Sequence, residues 1–206
     1  MPDFKFEIAA QGLVCGLDEV GRAPLAGPVV AACVYVPLDT YDHPLWTQVN
    51  DSKKISKKRR ETMAEQIKSL AHWGMGEATV QETDAINIVQ ASFLAMSRAY
   101  EQMKKPMSHA LIDGNLMPQC FPCAVQTVVK GDTKSVSIAA ASIIAKVHRD
   151  AIMAELAAAH PHYGWERNAG YPTRQHQDAI LSHGITSHHR RSFAPVRNYL
   201  NAHDAA

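Results

Sequence analysis

The chain has 206 residues, of which 46% are hydrophobic and 20% are charged, and its formal net charge at pH 7 is +1. This composition is typical of a globular protein with one domain, or with one domain and a small appendage. The longest apolar runs are too short to span a membrane, and the N-terminus lacks the pattern of a secretory signal, so we expect a cytoplasmic protein. Its four cysteines are too scattered for a disulfide framework, and we expect them to be reduced: Cys15, Cys33, Cys120 and Cys123.

Basic residues are concentrated in two clusters. Six cations lie within the eight residues Lys53–Arg60, and His188–Arg191 forms a second cluster near the C-terminus. Acidic metal ligands would cancel such residues in the net charge, so a value of +1 does not exclude binding to nucleic acid.

The first third of the chain predicts two paired strands and a helix. Leu13–Leu17 and Val29–Val36 are apolar runs typical of buried strands, and the turn Gly21–Pro28 between them contains two glycines and two prolines. Ser56 is a suitable N-cap for a helix over about 57–72, and the basic first turn of that helix favours an external anion.

The rest of the chain predicts three more strands and three more helices. The strands are Gly74–Val80, His109–Asp113 and Ala124–Val129. Apolar residues spaced by three and four from Ile86 to Met103 predict a long amphipathic helix. Two further helices are expected over about 135–160, which is rich in alanine, and about 173–182. The pattern predicts an α/β fold with a helical C-terminal part.

Four carboxylates lie at the ends of the predicted strands. Asp18 and Glu19 come directly after the first strand, Asp113 ends the fourth, and Asp132 lies just beyond the fifth. If these strands are neighbours, the carboxylates meet and repel one another, and divalent cations relieve the repulsion. Two such ions about 4 Å apart can hydrolyse a phosphodiester, one by activating water and one by stabilising the leaving oxygen. Each residue also has an ordinary explanation: solvated charges for the pair, a turn for Asp113, and a helix N-cap for Asp132.

Several motifs, in the same order along the chain, resemble the bacterial ribonuclease HII family. They cover about residues 12–197: Gly16–Pro28, Asn50–Ser56, Ile112–Asn115, Val129–Asp132, Ser137–Lys146, His162–Trp165, Asn168–Thr173 and His189–Phe193. The resemblance implies a ribonuclease H-like fold, which is a mixed five-stranded sheet flanked by helices with a C-terminal helical extension. It divides the chain into a catalytic core, residues 1–160, and an extension, residues 161–206, that contributes to substrate binding.

The resemblance also implies an activity. The family cleaves the RNA strand of RNA·DNA hybrids and nicks 5′ of single ribonucleotides embedded in duplex DNA, leaving 3′-hydroxyl and 5′-phosphate ends. Asp18, Glu19, Asp113 and Asp132 match its four metal-binding carboxylates, which hold Mn²⁺ or Mg²⁺. The partners would be RNA·DNA hybrid and ribonucleotide-containing duplex DNA. We expect a monomer, because one active site serves one strand.

Substrate-binding positions follow from the same resemblance. The turn residues Gly21, Arg22 and Ala23 match the family's ribose-reading loop, since telling RNA from DNA requires sensing a 2′-hydroxyl. Tyr163 matches the family's tyrosine at the RNA–DNA junction. Four residues match those that hold phosphate: Asn50, Ser52, Lys53 and Lys54.

The chain departs from the family pattern at two positions. Ala23 stands where the turn usually has glycine, so its methyl group lies where backbone approaches a ribose and where a positive φ is favoured by glycine. Ala169 stands where lysine is common, which removes one phosphate contact. Asp150 is a fifth carboxylate, placed either behind the metal ligands or in an ion pair on a helix surface.

Three alternatives remain open at the level of sequence. The first is a two-metal nuclease or phosphotransferase that acts on DNA generally, which carboxylates alone do not exclude. The second is a redox or zinc site at Cys120 and Cys123, which form one C-x-x-C motif without a second pair. The third is a catalytically silent protein that binds hybrids, and the presence of all four carboxylates disfavours it.

Overall fold

The computed structural model describes residues 1–204, apart from the side chains of Lys54 and Asp204. The strands in this part are β1 (Val14–Val20), β2 (Val29–Tyr35), β3 (His72–Ala78), β4 (His109–Asp113) and β5 (Ala124–Val128). The helices are α1 (Lys5–Ala10), α2 (Lys57–Leu70), α3 (Val80–Ile86), α4 (Ile88–Gln102), α5 (Val136–Ala159), α6 (Trp165–Asn168), α7 (Arg174–His183) and α8 (Ala194–Asp204). None of these helices combines the length and the apolar character that a membrane span requires.

The five strands form one mixed sheet in the order β3-β2-β1-β4-β5. β1, β2 and β3 are successively antiparallel, whereas β4 runs parallel to β1 and β5 runs parallel to β4. The C-terminal ends of β1, β4 and β5 therefore lie at the same edge of the sheet. The predicted fold class, a mixed five-stranded sheet with flanking helices and a helical C-terminal part, is confirmed.

Helices cover both faces of the sheet because the strand side chains alternate between them. On one face, Val30, Ala32 and Val34 of β2 join a buried cluster with α2 and α5. On the other face, Ala31 and Cys33 join a second cluster with α4. Strands that are apolar on both faces are typical of a central, covered sheet.

The N-terminus of α5 lies directly against β1. A Cβ atom at Gly16 would lie only 2.3 Å from the main-chain nitrogen of Ile138, so only glycine permits this approach. Glu7 of α1 is buried at the same helix end, where its Oε1 accepts hydrogen bonds from the Ser135 hydroxyl (2.6 Å) and from the Ser137 main-chain N–H (2.9 Å). A negative charge here also complements the helix dipole.

The C-terminal part shares a third core with the end of α5 and with the turn after β1. Asp84 joins the same part to α3, since it accepts hydrogen bonds from the main-chain N–H groups of Arg191 and Ser192, both 2.9 Å long. The predicted boundary at residue 160 falls directly after α5, but the shared core means that residues 161–204 pack as a continuation of the molecule.

Several predicted element boundaries were wrong. β1 continues through Asp18 and Glu19, because its pairing with β2 extends to Val20 opposite Val30. The helix predicted from Ile86 to Met103 is α4, which begins only at Ile88, because Asn87 has a φ of 70° and its side chain accepts from two N–H groups of α4, whereas Ile86 ends α3. Ser56 does precede α2, but its side chain makes no capping hydrogen bond.

Candidate active site

The sheet edge formed by β1, β4 and β5 brings the four predicted carboxylates to one cleft. Asp18 and Glu19 come from β1, Asp113 is the last residue of β4, and Asp132 lies in a short 3₁₀ turn, Gly131–Thr133, that follows β5. All four line a cavity of about 390 Å³. The parallel pairing of β4 with both neighbours is the reason that they meet there.

Asp18 is the most buried of the four, with 7% of its surface exposed. Burial first, and then repulsion by Glu19 and Asp113, raises the pKa of Asp18 well above its ordinary value, while a hydrogen bond to Ser142 opposes the shift. The Ser142 hydroxyl lies 3.0 Å from that of Ser52, so the two serines connect Asp18 to the basic loop before α2. A nearby cation would relieve both the cost of burying the Asp18 charge and this repulsion.

Glu19 and Arg22 form an ion pair at the mouth of the cleft. Arg22 Nη1 lies 3.1 Å from Glu19 Oε1, and the arginine side chain is 44% exposed. Burial raises the pKa of Glu19, and the neighbouring Arg22 opposes that shift. The pair places an exposed cation next to the carboxylates, and exposed ion pairs of this kind are weak enough for Glu19 to exchange partners.

Asp113 and Asp132 are coupled through the backbone. Asp113 Oδ1 accepts a 2.6 Å hydrogen bond from the main-chain N–H of Gly131, the residue before Asp132. Gly131 is buried against Ile138 of α5, where a Cβ would lie 2.6 Å from the Ile138 Cδ1. The last residue of β4 thus fixes the turn that carries Asp132.

The donor set of the cleft fits a hard divalent cation. Four carboxylates provide only oxygen ligands, which Mg²⁺ and Mn²⁺ prefer. Within the described residues, no three His, Cys, Asp or Glu side chains already stand in the arrangement of an assembled metal site. A divalent cation would relieve the mutual repulsion that acts on Asp18.

The turn after β1 forms one wall of the cleft, which Gly21, Arg22 and Ala23 line together. Gly21 has a φ of +95°, which glycine favours. Ala23 is exposed and is not among the residues with positive φ, so alanine is accommodated there without backbone strain. Ala169 does have a positive φ of 48°, and its side chain packs against the C-terminal core.

The basic loop before α2 supplies the opposite wall. Ser52 and Lys53 line the cleft, with Ser52 buried and Lys53 exposed. Arg60 of α2 holds this loop, since its Nη1 donates to the carbonyls of Ser52 (2.6 Å) and Ile55 (3.1 Å). Asn50 does not line the cleft and accepts a hydrogen bond from the main chain of the next residue. The side chain of Lys54 lies outside the described part of the structure.

Polar residues of α5 complete the cleft and were not predicted as site residues. Ser142 and Lys146 line it, and Lys146 pairs with Asp150, which also pairs with Arg60 at 3.3 Å. Asp150 therefore takes the ion-pair role that was one of its two predicted explanations. A signal for these residues exists in the sequence: 142, 146 and 150 recur every four residues, so they share one face of an otherwise apolar helix.

The tyrosine assignment from the resemblance does not agree with the structure. Tyr163 is only 3% exposed, stacks on Trp165, and donates its hydroxyl hydrogen bond to the Gly184 carbonyl at 3.0 Å. The structure does not bring it to the cleft. Tyr171 lines the cleft instead, with 39% of its surface exposed. The motif around Tyr163 favoured it as the junction residue. Whether its side chain is buried depends on helices that are distant in sequence, which the motif does not record.

The second basic cluster is also largely buried. His189 and Arg190 are 1% and 0% exposed, whereas Arg191 is exposed. This cluster is therefore not the phosphate-binding surface that its composition indicates. The cysteine alternative is weakened too: burial raises the pKa of Cys123 to about 11, which disfavours the thiolate form that a redox or zinc site uses.

Comparison with known proteins identifies the family. The family model described as ribonuclease HII matches residues 15–196. A ribonuclease HII from Paramagnetospirillum magneticum is 56% identical over 200 residues, covering 97% of this chain and 99% of that protein. One from Rhodospirillum rubrum is 54% identical over 202 residues, covering 97% and 92%.

Solved structures show the same fold. The ribonuclease H2 of Pyrococcus horikoshii aligns with a TM-score of 0.75 at 21% identity, covering 95% of this chain and 100% of that one. A Bst-RNase HIII crystallised in complex with Mn²⁺ aligns with a TM-score of 0.76 at 18% identity, covering 94% and 71%. At these identities the solved structures show the fold, and the matches along nearly the whole sequence establish that this chain belongs to the ribonuclease HII family and is a ribonuclease H that hydrolyses RNA in RNA·DNA hybrids.

Proposed function

We propose that this enzyme cleaves RNA·DNA hybrids and also nicks 5′ of single ribonucleotides embedded in duplex DNA, by two-metal hydrolysis that leaves 3′-hydroxyl and 5′-phosphate ends. The observation that carries the proposal is the shared cleft, in which four carboxylates from three neighbouring strands face a glycine turn. The carboxylates suit phosphodiester chemistry, and the turn offers backbone groups to a ribose. A duplex with one ribonucleotide requires both functions at the same phosphate.

Asp18, Glu19, Asp113 and Asp132 are the proposed ligands of Mn²⁺ or Mg²⁺. When bound, two such ions supply an activated water and stabilise charge on the leaving oxygen. The protein contributes the fixed placement of the ligands: Ser142 holds Asp18, and the Gly131 N–H holds Asp113. The choice of these ions rests on the all-oxygen donor set, which hard divalent cations prefer.

The same cleft accounts for substrate binding. The N–H groups of the turn at Gly21, Arg22 and Ala23 are the proposed 2′-hydroxyl contact, since a 2′-hydroxyl accepts as well as donates. Ser52 and Lys53, with Asn50 and Lys54 by resemblance, are the proposed phosphate contacts, which position a duplex without reading sequence. Tyr171 replaces Tyr163 as the proposed residue at the RNA–DNA junction, because it is the tyrosine that lines the cleft. In this proposal residues 1–160 supply the chemistry, and residues 161–206 contribute to substrate binding through Tyr171.

A general DNA nuclease is the competing function, and one assay separates the two. A labelled DNA duplex with one ribonucleotide is incubated with Mg²⁺ or Mn²⁺, beside an all-DNA duplex of the same sequence. We expect a single nick 5′ of the ribonucleotide, with 3′-hydroxyl and 5′-phosphate ends, and no cut in the all-DNA duplex. Equal cutting of both duplexes would establish the general nuclease. We also propose that the enzyme is a monomer, and light scattering of the purified protein measures its molecular mass.

A further inference from the structure

Two arginines are completely buried beside the turn after β1, and neither belongs to the chemistry proposed above. Arg149 lies on α5 and Arg190 lies between α7 and α8, and each is 0% exposed. Every side-chain hydrogen bond that the structure gives them ends on a main-chain carbonyl. Burial, and then the charge of Arg149, lowers the pKa of Arg190 to about 9, so both remain cations at neutral pH. A buried pair of like charges is costly and calls for a compensating role.

Arg190 binds the first half of the turn and its end. Its Nη2 donates to the Gly21 carbonyl at 2.6 Å and its Nη1 donates to the Arg22 carbonyl at 3.0 Å. The Gly27 carbonyl accepts from Nε and Nη2 at 3.1 and 2.8 Å. One planar guanidinium thus fixes three carbonyls of one turn, which a lysine ammonium has no geometry to reproduce.

Arg149 binds the second half of the turn from the α5 side. It donates to the carbonyls of Pro28, Ala26 and Ala169, each at 3.0 Å. A Cβ at Gly21 would lie 2.3 Å from Arg149 Nε, so the arginine also packs against the start of the turn. Arg149 therefore links the turn to Ala169, two residues before the cleft residue Tyr171.

These contacts fix the direction of two main-chain N–H groups that border the cleft. In a trans peptide the carbonyl of one residue and the N–H of the next point in opposite directions. Since the Gly21 and Arg22 carbonyls both point at Arg190, the N–H groups of Arg22 and Ala23 both point away from it. Arg22 and Ala23 line the cleft, and no hydrogen bond among the described residues uses either N–H group. Two successive N–H groups aimed the same way form a concave site for an oxygen ligand.

We infer that Arg190, supported by Arg149, is a positioning residue that aims the N–H groups of Arg22 and Ala23 at the ribonucleotide. The inference rests on the proposed function of the turn. It also gives the C-terminal part a role, because Arg190 sets the geometry of the ribose contact without touching substrate. Arg149 holds the same turn in place from α5.

Arg190→Lys tests the inference, with Arg197→Lys as the matched control. Arg197 also donates to a main-chain carbonyl, that of Ser192 at 3.2 Å, but it is exposed and does not contact the turn. The kcat and KM are measured on a DNA duplex with one ribonucleotide and on a long RNA·DNA hybrid. We expect Arg190→Lys to lower kcat/KM at least tenfold more on the single ribonucleotide, where one ribose must be recognised, than on the hybrid. The half-saturating Mn²⁺ concentration should stay unchanged in both variants.

Thermal unfolding and a second variant keep the test decisive. A purely structural role would lower kcat/KM equally on both substrates, in proportion to lost stability, and would overturn the inference. If Arg190→Lys fails to fold, Arg149→Lys is measured in the same way, with the same direction and a smaller selectivity loss expected. Failure of the wild-type enzyme to nick the single ribonucleotide would overturn the proposed function itself. Normal wild-type nicking with unchanged selectivity in the variants would overturn only the positioning role.

Discussion

Asp113 Oδ1 and the Gly131 main-chain nitrogen lie 2.6 Å apart, which joins the carboxylate at the end of β4 to the turn that carries Asp132. The bond therefore links the positions of two of the four carboxylates, Asp113 and Asp132. It also separates two roles of Asp113, because an amide oxygen can accept the same bond without carrying a charge.

We therefore expect Asp113→Asn to abolish cleavage while the fold stays intact. The amide keeps the bond to Gly131 but loses the charge that a divalent cation requires.

Asp18→Asn should also abolish cleavage and should raise the melting temperature of the metal-free protein, because it removes a buried charge that Glu19 and Asp113 repel. Single-turnover cleavage and thermal melts measure both effects. A marked loss of stability in Asp18→Asn would contradict this account of the site.

Divalent metal should stabilise the protein as well as activate it. A ligand at 100 times its Kd stabilises the folded state by about 2.7 kcal/mol. We expect the melting temperature of the wild type to rise with Mn²⁺ or Mg²⁺, and that of Asp113→Asn to rise much less, because a ligand is lost. Activity after complete chelation would show that the carboxylates do not act through metal.

Tyr171 and Tyr163 should separate function from stability. We expect Tyr171→Ala to lower kcat/KM about tenfold, equivalent to about 1.4 kcal/mol, with little change in stability, since its side chain is partly exposed in the cleft. Tyr163→Phe should cost about 0.5–1.5 kcal/mol of stability through the lost bond to Gly184 and should leave KM unchanged. Urea unfolding and steady-state kinetics on both variants decide between them. The opposite pattern would restore Tyr163 to the substrate.

Glu7 should stabilise the start of α5. Its Oε1 accepts hydrogen bonds from the Ser135 hydroxyl and from the hydroxyl and N–H of Ser137. We expect Glu7→Ala to cost about 2–4 kcal/mol, since three buried donors lose their acceptor. Glu7→Gln keeps an acceptor oxygen and should cost less. Urea unfolding measures both, and Glu61→Ala on the exposed side of α2 is the control, for which no change is expected.

Two buried histidines in the C-terminal core have defined proton positions. Trp165 Nε1 donates to His176 Nε2 at 3.1 Å, so that nitrogen carries no hydrogen and His176 Nδ1 donates to the Tyr171 carbonyl at 2.9 Å. His189 Nδ1 accepts from the Thr186 N–H at 3.0 Å, so its Nε2 donates to His176. Both rings are therefore neutral.

Acid should destabilise this core through those histidines. Burial lowers the pKa of His176, and burial together with the neighbouring histidines lowers that of His189 to about 3. The unfolded chain takes up both protons near pH 6.5, whereas the folded chain takes up each at lower pH, and that of His189 only near pH 3, so the unfolded chain binds more protons below about pH 6.5. Stability then falls as pH falls, by at most about 1.4 kcal/mol per pH unit per histidine. Urea unfolding from pH 7 to 5 should show this slope, reduced in His189→Gln and unchanged in the exposed His203→Gln.

Much of the fold was predictable because its signals are local. Apolar runs gave all five strands, and small residues gave α5, since periodicity and helix propensity act within a few turns. The start of α4 after Asn87 and the extension of β1 were not predicted, because a single capping residue and the pairing with β2 decided them. The six-residue α1 depends on the contact between its Glu7 and Ser137 at the start of α5, which lies 130 residues further along the chain.

By itself the sequence determined the family and the four carboxylates at the strand ends, since ordered motifs and strand patterns are properties of the chain alone. Only the tertiary structure decided that β1, β4 and β5 are neighbours, that Tyr171 rather than Tyr163 lines the cleft, and that Arg190 is buried against the turn. Sheet order and burial depend on segments far apart in sequence, which no local pattern records. The sequence therefore supplies the residues of the cleft, and the packing of distant segments brings them together.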